Sequence, residues 1–251
     1  MIELFIIAFT LVTGSFTNSV ISGFLNNSGL DLYRSKCFCG KRNLKLLENI
    51  PVLSFIFLKG TCKECNGKIA FRYLATELFS LAAGLIIYQI YGLQIISLIY
   101  YLLLMIFYSV AIIDFKKMVI PNSLVFAIFL LYLVSLSINQ FNPYNLIVPF
   151  SICFSLLGVN QYYERKKNKT AIGMGDVKYI FAAGLFLSPF LLIVSIWISA
   201  LLALLFSLGK SKKYDKENKI AFGTFLSAGF TLALIFSNNI NEILIQIAQY
   251  E

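Results

Sequence analysis

Two aspartates lie where apolar stretches meet short polar segments, and their positions favour catalysis. Asp114 follows the run Ala111-Ile112-Ile113, and Asp176 follows Gly173-Met174-Gly175. An acidic side chain within a membrane span costs on the order of 2.5–3.5 kcal/mol at the helix centre, so it is a functional candidate by default. Two carboxylates that share one proton supply an acid and a base near neutral pH, and such a pair can activate water against a peptide carbonyl.

Each aspartate also has an ordinary interpretation. Asp176 could be a helix N-cap, where aspartate is favoured by its hydrogen bonds and by the helix dipole. Asp114 could be a headgroup-level charge beside Lys116 and Lys117. Glu77, early in another apolar stretch, is a third candidate that we interpret as a satisfied or interfacial residue.

Three residues around Asp176 could support it. Gly173 and Gly175 allow the backbone to approach closely, and Lys178 could orient the site or an oxyanion, or anchor at the headgroups instead. The chain contains no histidine. This excludes Ser-His-Asp and Cys-His nucleophile systems, and every metal site that needs an imidazole.

Four cysteines form two close pairs, Cys37-Phe38-Cys39 and Cys62-Lys63-Glu64-Cys65. Paired thiolates separated by a loop are typical of a tetrahedral structural Zn²⁺ site, and a reducing cytoplasm favours metal over disulfides. Reduced cysteines without metal and a redox pair remain alternatives, because the spacing of the first pair fits a zinc knuckle less well. Cys153 has no partner within its apolar stretch and is interpreted as a small buried residue.

The composition predicts an all-α polytopic membrane protein. Of 251 residues, 59% are hydrophobic and only 13% are charged, against about 25% charged in soluble domains. A span needs about 20 mostly apolar residues, and the first stretch lacks the basic start of a removable signal peptide. We predict eight transmembrane segments: 2–24, 73–91, 93–113, 119–138, 144–162, 177–188, 190–208 and 222–239.

The positive charges predict the orientation. All 21 Lys and Arg lie in four segments, 25–72, 114–118, 162–178 and 209–219. The positive-inside rule makes these segments cytoplasmic, so both termini are expected outside. Most of these cations are interpreted as topology signals, with attraction to anionic membrane lipid as a secondary role, and we expect no nucleic-acid binding.

Three regions follow from this pattern. Residues 1–24 form the first span, 25–72 a cytoplasmic insertion that contains the cysteine pairs, and 73–251 the membrane-embedded part with both aspartates. The insertion is too small to fold around a sizeable core unaided, so a zinc staple suits it.

The chain resembles the bacterial type IV prepilin peptidases, bifunctional leader peptidases and N-methyltransferases of the GxGD membrane aspartyl protease type. The resemblance rests on Gly14-Ser15-Phe16-Thr17-Asn18, on Asp114 followed by Ile120-Pro121, and on Gly173-Met174-Gly175-Asp176-Val177-Lys178. Segments around Glu48–Ser54, Gly60–Cys62 and Arg72-Tyr73 with Glu77 also resemble the family, as does Ala221–Leu226 without the usual prolines.

The resemblance implies that Asp114 and Asp176 are the catalytic pair, at the bacterial inner membrane. It implies cleavage of the basic leader of prepilins or pseudopilins after a glycine, then methylation of the new N-terminal amine by S-adenosylmethionine. It also implies that the cysteines bind zinc, although Cys37-Phe38-Cys39 is one residue shorter than the family's C-P-x-C.

Two rival functions predict other features. A proton-coupled transporter with intramembrane aspartates predicts acidic residues near mid-span and an inverted repeat. A redox membrane protein predicts that the cysteines, and not Asp114, are essential.

Overall fold

The computed structural model describes residues 1–26, 69–138, 143–168, 170–209 and 220–248, with positions 52, 55, 60, 61 and 67. For 238–248 it describes the backbone alone. Each of the eight predicted segments corresponds to a helix within these ranges. The helices are α1 (Ile2–Asn26), α2 (Phe71–Tyr91), α3 (Ile95–Lys117), α4 (Asn122–Leu136), α5 (Tyr144–Lys167), α6 (Met174–Gly184), α7 (Pro189–Gly209) and α8 (Phe222–Ala248).

Five of these helices, α1, α2, α3, α5 and α7, are long and apolar enough to cross a membrane. The other three are not among these spans within the described residues: α4 has 15 residues, α6 has 11, and α8 was assessed over Phe222–Ser237. The structure is therefore that of a polytopic helical membrane protein, and the count of eight spans stays a prediction.

The helix ends follow ordinary backbone chemistry. Met118 adopts a left-handed conformation with φ of 54°, and its N–H donates to the carbonyl of Asp114 at 2.7 Å, which terminates α3. The extended Pro121 then leads into α4. Asn168, with φ of 49°, ends α5 in the left-handed region that asparagine tolerates better than most residues. These ends set where the two aspartates can lie.

The chain divides into two compact units, Met1–Ser97 and Leu98–Glu251. In the first unit α1 packs along α2. They cross closely at Gly14, where a Cβ atom would lie 2.9 Å from Ser80 Cβ and 3.1 Å from Glu77 Cα. Small residues allow such close packing between membrane helices.

In the second unit, α6 contacts α4, α5 and α8, and α7 packs along α8. Its core contains three fully buried rings from three helices, Phe107 of α3, Tyr179 of α6 and Phe230 of α8. Their centroids lie 5.3–5.9 Å apart, in the range of favourable aromatic pairs. This cluster fixes α6 against α3 and α8, the helices on which the site is built.

Candidate active site

Asp114 lies in the last turn of α3 and is 4% exposed. Its Oδ2 accepts the backbone N–H of Thr224 at 2.9 Å and lies 3.4 Å from the Thr224 hydroxyl. That hydroxyl lies closer to the carbonyl of Ala111, at 3.1 Å. Because Thr224 is in the first turn of α8, the carboxylate sits at a helix N-terminus, where the dipole favours negative charge. Asp114 is thus a buried carboxylate held by contacts within the protein.

Gly223 lets α8 approach this carboxylate. A Cβ atom at this position would lie 3.0 Å from Asp114 Oδ2 and 2.7 Å from Ile120 Cδ1. Any side chain would therefore push away either the carboxylate or Ile120. Gly223 belongs to the segment 221–226, whose family counterpart carries prolines. In this chain its lack of a side chain leaves room for Asp114 and Ile120.

Asp176 lies in the first turn of α6, three residues after the N-cap residue, Gly173. The N-cap interpretation of Asp176 is therefore wrong, because the cap position belongs to the glycine. A Cβ atom on Gly173 would lie 2.8 Å from Asp176 Oδ2, so the carboxylate folds back over this residue. Gly173 has φ of −62°, which any residue can adopt, and its role is to leave room.

The structure brings the segments that carry the two aspartates together. Ile120 lies between the elements that carry the two aspartates. A Cβ atom on Gly175 would lie 3.4 Å from Ile120 Cβ, and a Cβ atom on Gly223 would lie 2.7 Å from Ile120 Cδ1. The ends of α3, α6 and α8 thus converge on one carboxylate pair.

Asn160 of α5 holds the segment that leads to Asp176. Its Oδ1 accepts the N–H of Ala171 at 3.0 Å and of Ile172 at 2.8 Å, and its Nδ2 donates to the carbonyl of Ile172 at 2.9 Å. The side chain is 9% exposed. An amide that both donates to and accepts from one short segment fixes its path, so Asn160 positions the start of α6.

Two further contacts hold α6. Tyr179 and Ser227 share a hydrogen bond of 2.9 Å, and Ser227 donates to the carbonyl of Gly223 at 2.8 Å. The thiol of Cys153 lies 3.4 Å from the carbonyl of Val177, and its burial confirms the prediction for this residue. The exposed Lys178 donates to Asn122 Oδ1 of α4 at 3.4 Å, a contact between helices rather than one to the carboxylates.

Asn160, Thr224 and Tyr179 were not identified from the sequence. Asn160 had a usable signal, since it is an amide within a predicted span. Thr224 and Tyr179 had none, because threonine and tyrosine are common in spans and their partners lie 110 and 48 residues away. Glu77 is buried, and its Oε2 accepts the N–H of Val52 at 2.7 Å, in agreement with the satisfied interpretation.

The zinc prediction falls on Cys37, Cys39, Cys62 and Cys65, which lie outside the described residues. Within the described ranges, no group of three or more Cys, Asp or Glu side chains could hold a metal ion.

Taken together, the fold and the site define a polytopic helical membrane protein with two aspartates, one buried and one half-buried, at converging helix ends. Residues 8–91 match the bacterial peptidase A24 N-terminal domain, and residues 98–208 match the type IV leader peptidase family. The chain belongs to the type IV leader peptidase family.

Curated relatives of the chain carry the name prepilin leader peptidase/N-methyltransferase. The Vibrio cholerae protein is 31% identical over 205 residues, covering 74% of this chain and 79% of the relative. The Bacillus subtilis protein is 29% identical over 252 residues, 96% of each chain, and the Dichelobacter nodosus protein is 26% identical over 215 residues, 83% and 73%. No solved structure matches the chain. The matches confirm the resemblance stated above and do not favour the transporter alternative.

Proposed function

We propose that the chain is a membrane aspartyl endopeptidase that removes the basic leader of type IV prepilins or pseudopilins and then methylates the new N-terminus. Family membership supports this function and the bacterial inner membrane as its location. The observation that carries the peptidase assignment is the convergence, around Ile120, of the helix ends that bear Asp114 and Asp176. Prepilins are the partners that this function implies.

In the proposed reaction one aspartate is ionised and the other carries the shared proton. The ionised carboxylate takes a proton from water as the water oxygen attacks the scissile carbonyl carbon, while the protonated carboxyl donates to the carbonyl oxygen. Collapse of the tetrahedral intermediate breaks the C–N bond, and the leaving amine takes a proton from the pair. No histidine or metal is needed for these steps.

The polar frame around the aspartates supports this chemistry. Thr224 fixes one oxygen of Asp114, Gly173 leaves room for Asp176, and Asn160 fixes the segment before it. Such pre-arranged groups need little reorganisation when charge moves in the transition state. We propose that the apolar segment of the prepilin docks between helices, with its basic leader at the cytoplasmic face.

The peptidase test is cleavage of a purified prepilin by the full chain in detergent or lipid. Wild type is expected to release the leader, whereas Asp114→Asn and Asp176→Asn are expected not to. Glu164→Gln, at an exposed position of α5, is the matched control. Near wild-type cleavage by either aspartate variant would overturn the catalytic pair.

The second activity calls for S-adenosylmethionine, which when bound supplies a methyl group to the new N-terminal amine, with loss of an amine proton. The described residues fit such a ligand at one place. Asn18 Oδ1 and Arg72 Nε are buried atoms without a hydrogen-bond partner, an acceptor and a donor that suit an ammonium and a carboxylate.

We also propose that Cys37, Cys39, Cys62 and Cys65 hold a structural Zn²⁺ ion in a cytoplasmic insertion, with both termini outside. Metal analysis of wild type against Cys62→Ser tests the zinc, because equal and negligible metal contents would remove it. Reporter fusions at the C-terminus and within 209–219 test the orientation. An active cytoplasmic reporter at the C-terminus would contradict it.

A further inference from the structure

The contact between α1 and α2 is unusually polar for two membrane helices. Six buried side chains of these two helices carry a hydroxyl, amide or carboxyl group: Thr10, Thr17, Asn18, Thr76, Glu77 and Ser80. Most of them are satisfied by backbone carbonyls. Thr17 donates to Thr13, Thr76 to Arg72, and Ser80 across the interface to Thr10. Polarity on this face therefore does not by itself imply a ligand.

One end of the interface differs. Asn18 is 2% exposed and donates through Nδ2 to the carbonyl of Tyr73 at 3.0 Å, but its Oδ1 has no partner. Arg72 donates through Nη2 to Ser22 at 2.9 Å, and its buried Nε has no partner. In the part of the chain that the structure describes, these are the two buried side-chain atoms left unsatisfied.

The unsatisfied atoms belong to one small cluster. Ser22 lies one helical turn beyond Asn18, and its hydroxyl contacts both Arg72 and the Tyr73 hydroxyl, the latter at 3.3 Å. The Arg72 guanidinium also lies 5.2 Å from the centroid of the Tyr73 ring. Asn18, Ser22, Arg72 and Tyr73 thus hold one another at the end of α1 and the start of α2. We call these four residues the Asn18–Arg72 cluster.

Leaving a buried polar atom unsatisfied destabilises the folded protein, and a charged group does so more strongly. A ligand that satisfies both atoms must donate to an amide oxygen and accept from a guanidinium. The α-ammonium and α-carboxylate of an amino acid have this chemistry, and carboxylates bind the edge of a guanidinium especially well. Of the two substrates of the proposed methyl transfer, only S-adenosylmethionine carries both groups on one carbon.

We propose that the Asn18–Arg72 cluster binds the amino-acid end of the methyl donor, with Asn18 Oδ1 accepting from its ammonium and Arg72 donating to its carboxylate. The inference rests on the methyltransferase part of the proposed function. It assigns the donor site to the first unit and leaves the aspartate pair out of methyl-donor binding.

The test uses two probes that share the adenosine and thioether groups. S-adenosylhomocysteine carries the amino-acid end, and 5′-methylthioadenosine lacks it. Binding of each to the purified full chain is measured by calorimetry for wild type, Asn18→Leu, Arg72→Lys and the control Ser19→Ala, which changes an exposed neighbour of Asn18.

Wild type is expected to bind S-adenosylhomocysteine more tightly than 5′-methylthioadenosine. Asn18→Leu and Arg72→Lys are expected to raise the Kd for S-adenosylhomocysteine at least about tenfold, the loss of one good charged contact. Their Kd for 5′-methylthioadenosine should change less than about twofold, and prepilin cleavage should persist, which shows that the variants fold. Ser19→Ala should behave as wild type with both probes.

Other results would overturn the proposal. Equal weakening of both probes would mean that the cluster only supports the fold, and unchanged binding of S-adenosylhomocysteine would mean that the ligand lies elsewhere. Failure of the wild type to bind S-adenosylhomocysteine would also reject it. Absence of methylated product from wild type would instead reject the methyltransferase function, so the two failures are distinguishable.

Discussion

The two units differ in whether their buried polar atoms have hydrogen-bond partners. In the second unit, the polar groups that hold the site have partners within the protein: Thr224 donates to Asp114, and residues 171–172 hydrogen-bond with Asn160. In the first unit, the Asn18–Arg72 cluster leaves one acceptor and one donor unpaired. Hydrogen bonds of this kind are suited to positioning fixed catalytic groups, whereas unpaired buried atoms are suited to binding a polar ligand.

This difference predicts that the two activities can be separated. Variants around the aspartates should impair prepilin cleavage but should not alter methylation of a peptide that already has the processed N-terminus. Variants of the Asn18–Arg72 cluster should do the reverse. Measuring both reactions on every variant therefore tests the comparison itself.

The largest effect is expected from the aspartates. Asp114→Asn and Asp176→Asn should each lower the cleavage rate by at least about 10³-fold, since a positioned acid or base contributes roughly 10²–10⁴-fold and each variant also ends proton sharing. Mass spectrometry of prepilin and of pre-processed peptide measures both reactions. Loss of methylation of the pre-processed peptide would break the proposed division between the units.

Gly173→Ala should come next. Its Cβ would lie 2.8 Å from Asp176 Oδ2, so the carboxylate must move, and a displacement near 1 Å can cost about 10²-fold in rate. Stability should barely change, because Gly173 is an exposed N-cap residue with an ordinary φ. Gly158→Ala is the control, since a Cβ there meets nothing within 4 Å. Equal activity of the two variants would contradict the placement of Asp176.

A smaller effect is expected from Asn160→Leu, which removes three hydrogen bonds to 171–172. We expect roughly a tenfold lower kcat with little change in KM, because the segment that positions Asp176 loosens while the substrate contacts remain. The loss of a few hydrogen bonds at about 1 kcal/mol each gives this scale. Asn160→Asp keeps the acceptor for both N–H groups and should retain more activity. If both variants lose the same amount of activity, Asn160 does not act through its hydrogen bonds to residues 171–172.

Thr224→Val should have the smallest effect. It removes the hydroxyl contacts to Ala111 and Asp114 but keeps the backbone N–H that donates to Asp114 at 2.9 Å. We expect about a threefold lower cleavage rate, corresponding to one modest hydrogen bond. A loss as large as that of Asp114→Asn would show that the hydroxyl, and not the N–H, holds the carboxylate.

Hydropathy located every helix that the structure describes, because apolar runs of this length have few alternatives. It failed to fix the number of spans, since α4 and α6 are short and length alone does not show whether a short apolar helix crosses the bilayer. The motif around Asp176 was recognisable from Gly173 to Lys178. The role of Gly173 as a source of space could not be predicted, because it depends on where the carboxylate folds back.

Contacts between residues that are far apart in the sequence could not be predicted either. Nothing local in the sequence links Thr224 to Asp114 or Ser227 to Tyr179, since these contacts depend on how α8 packs. The N-cap interpretation of Asp176 failed for a similar reason: aspartate is common both at the cap and in the first turn, and only the backbone distinguishes the two positions.

The shortness of α6 has a consequence for its surroundings. With 11 residues it rises about 16 Å, roughly half of a hydrocarbon core about 30 Å thick. Its far end turns at Leu185 and Leu187, which are 1% and 2% exposed, so protein and not lipid covers the turn. Irregular backbone at such a depth is tolerated only when shielded in this way. A surrounding bilayer would therefore meet the neighbouring helices before it reached this turn.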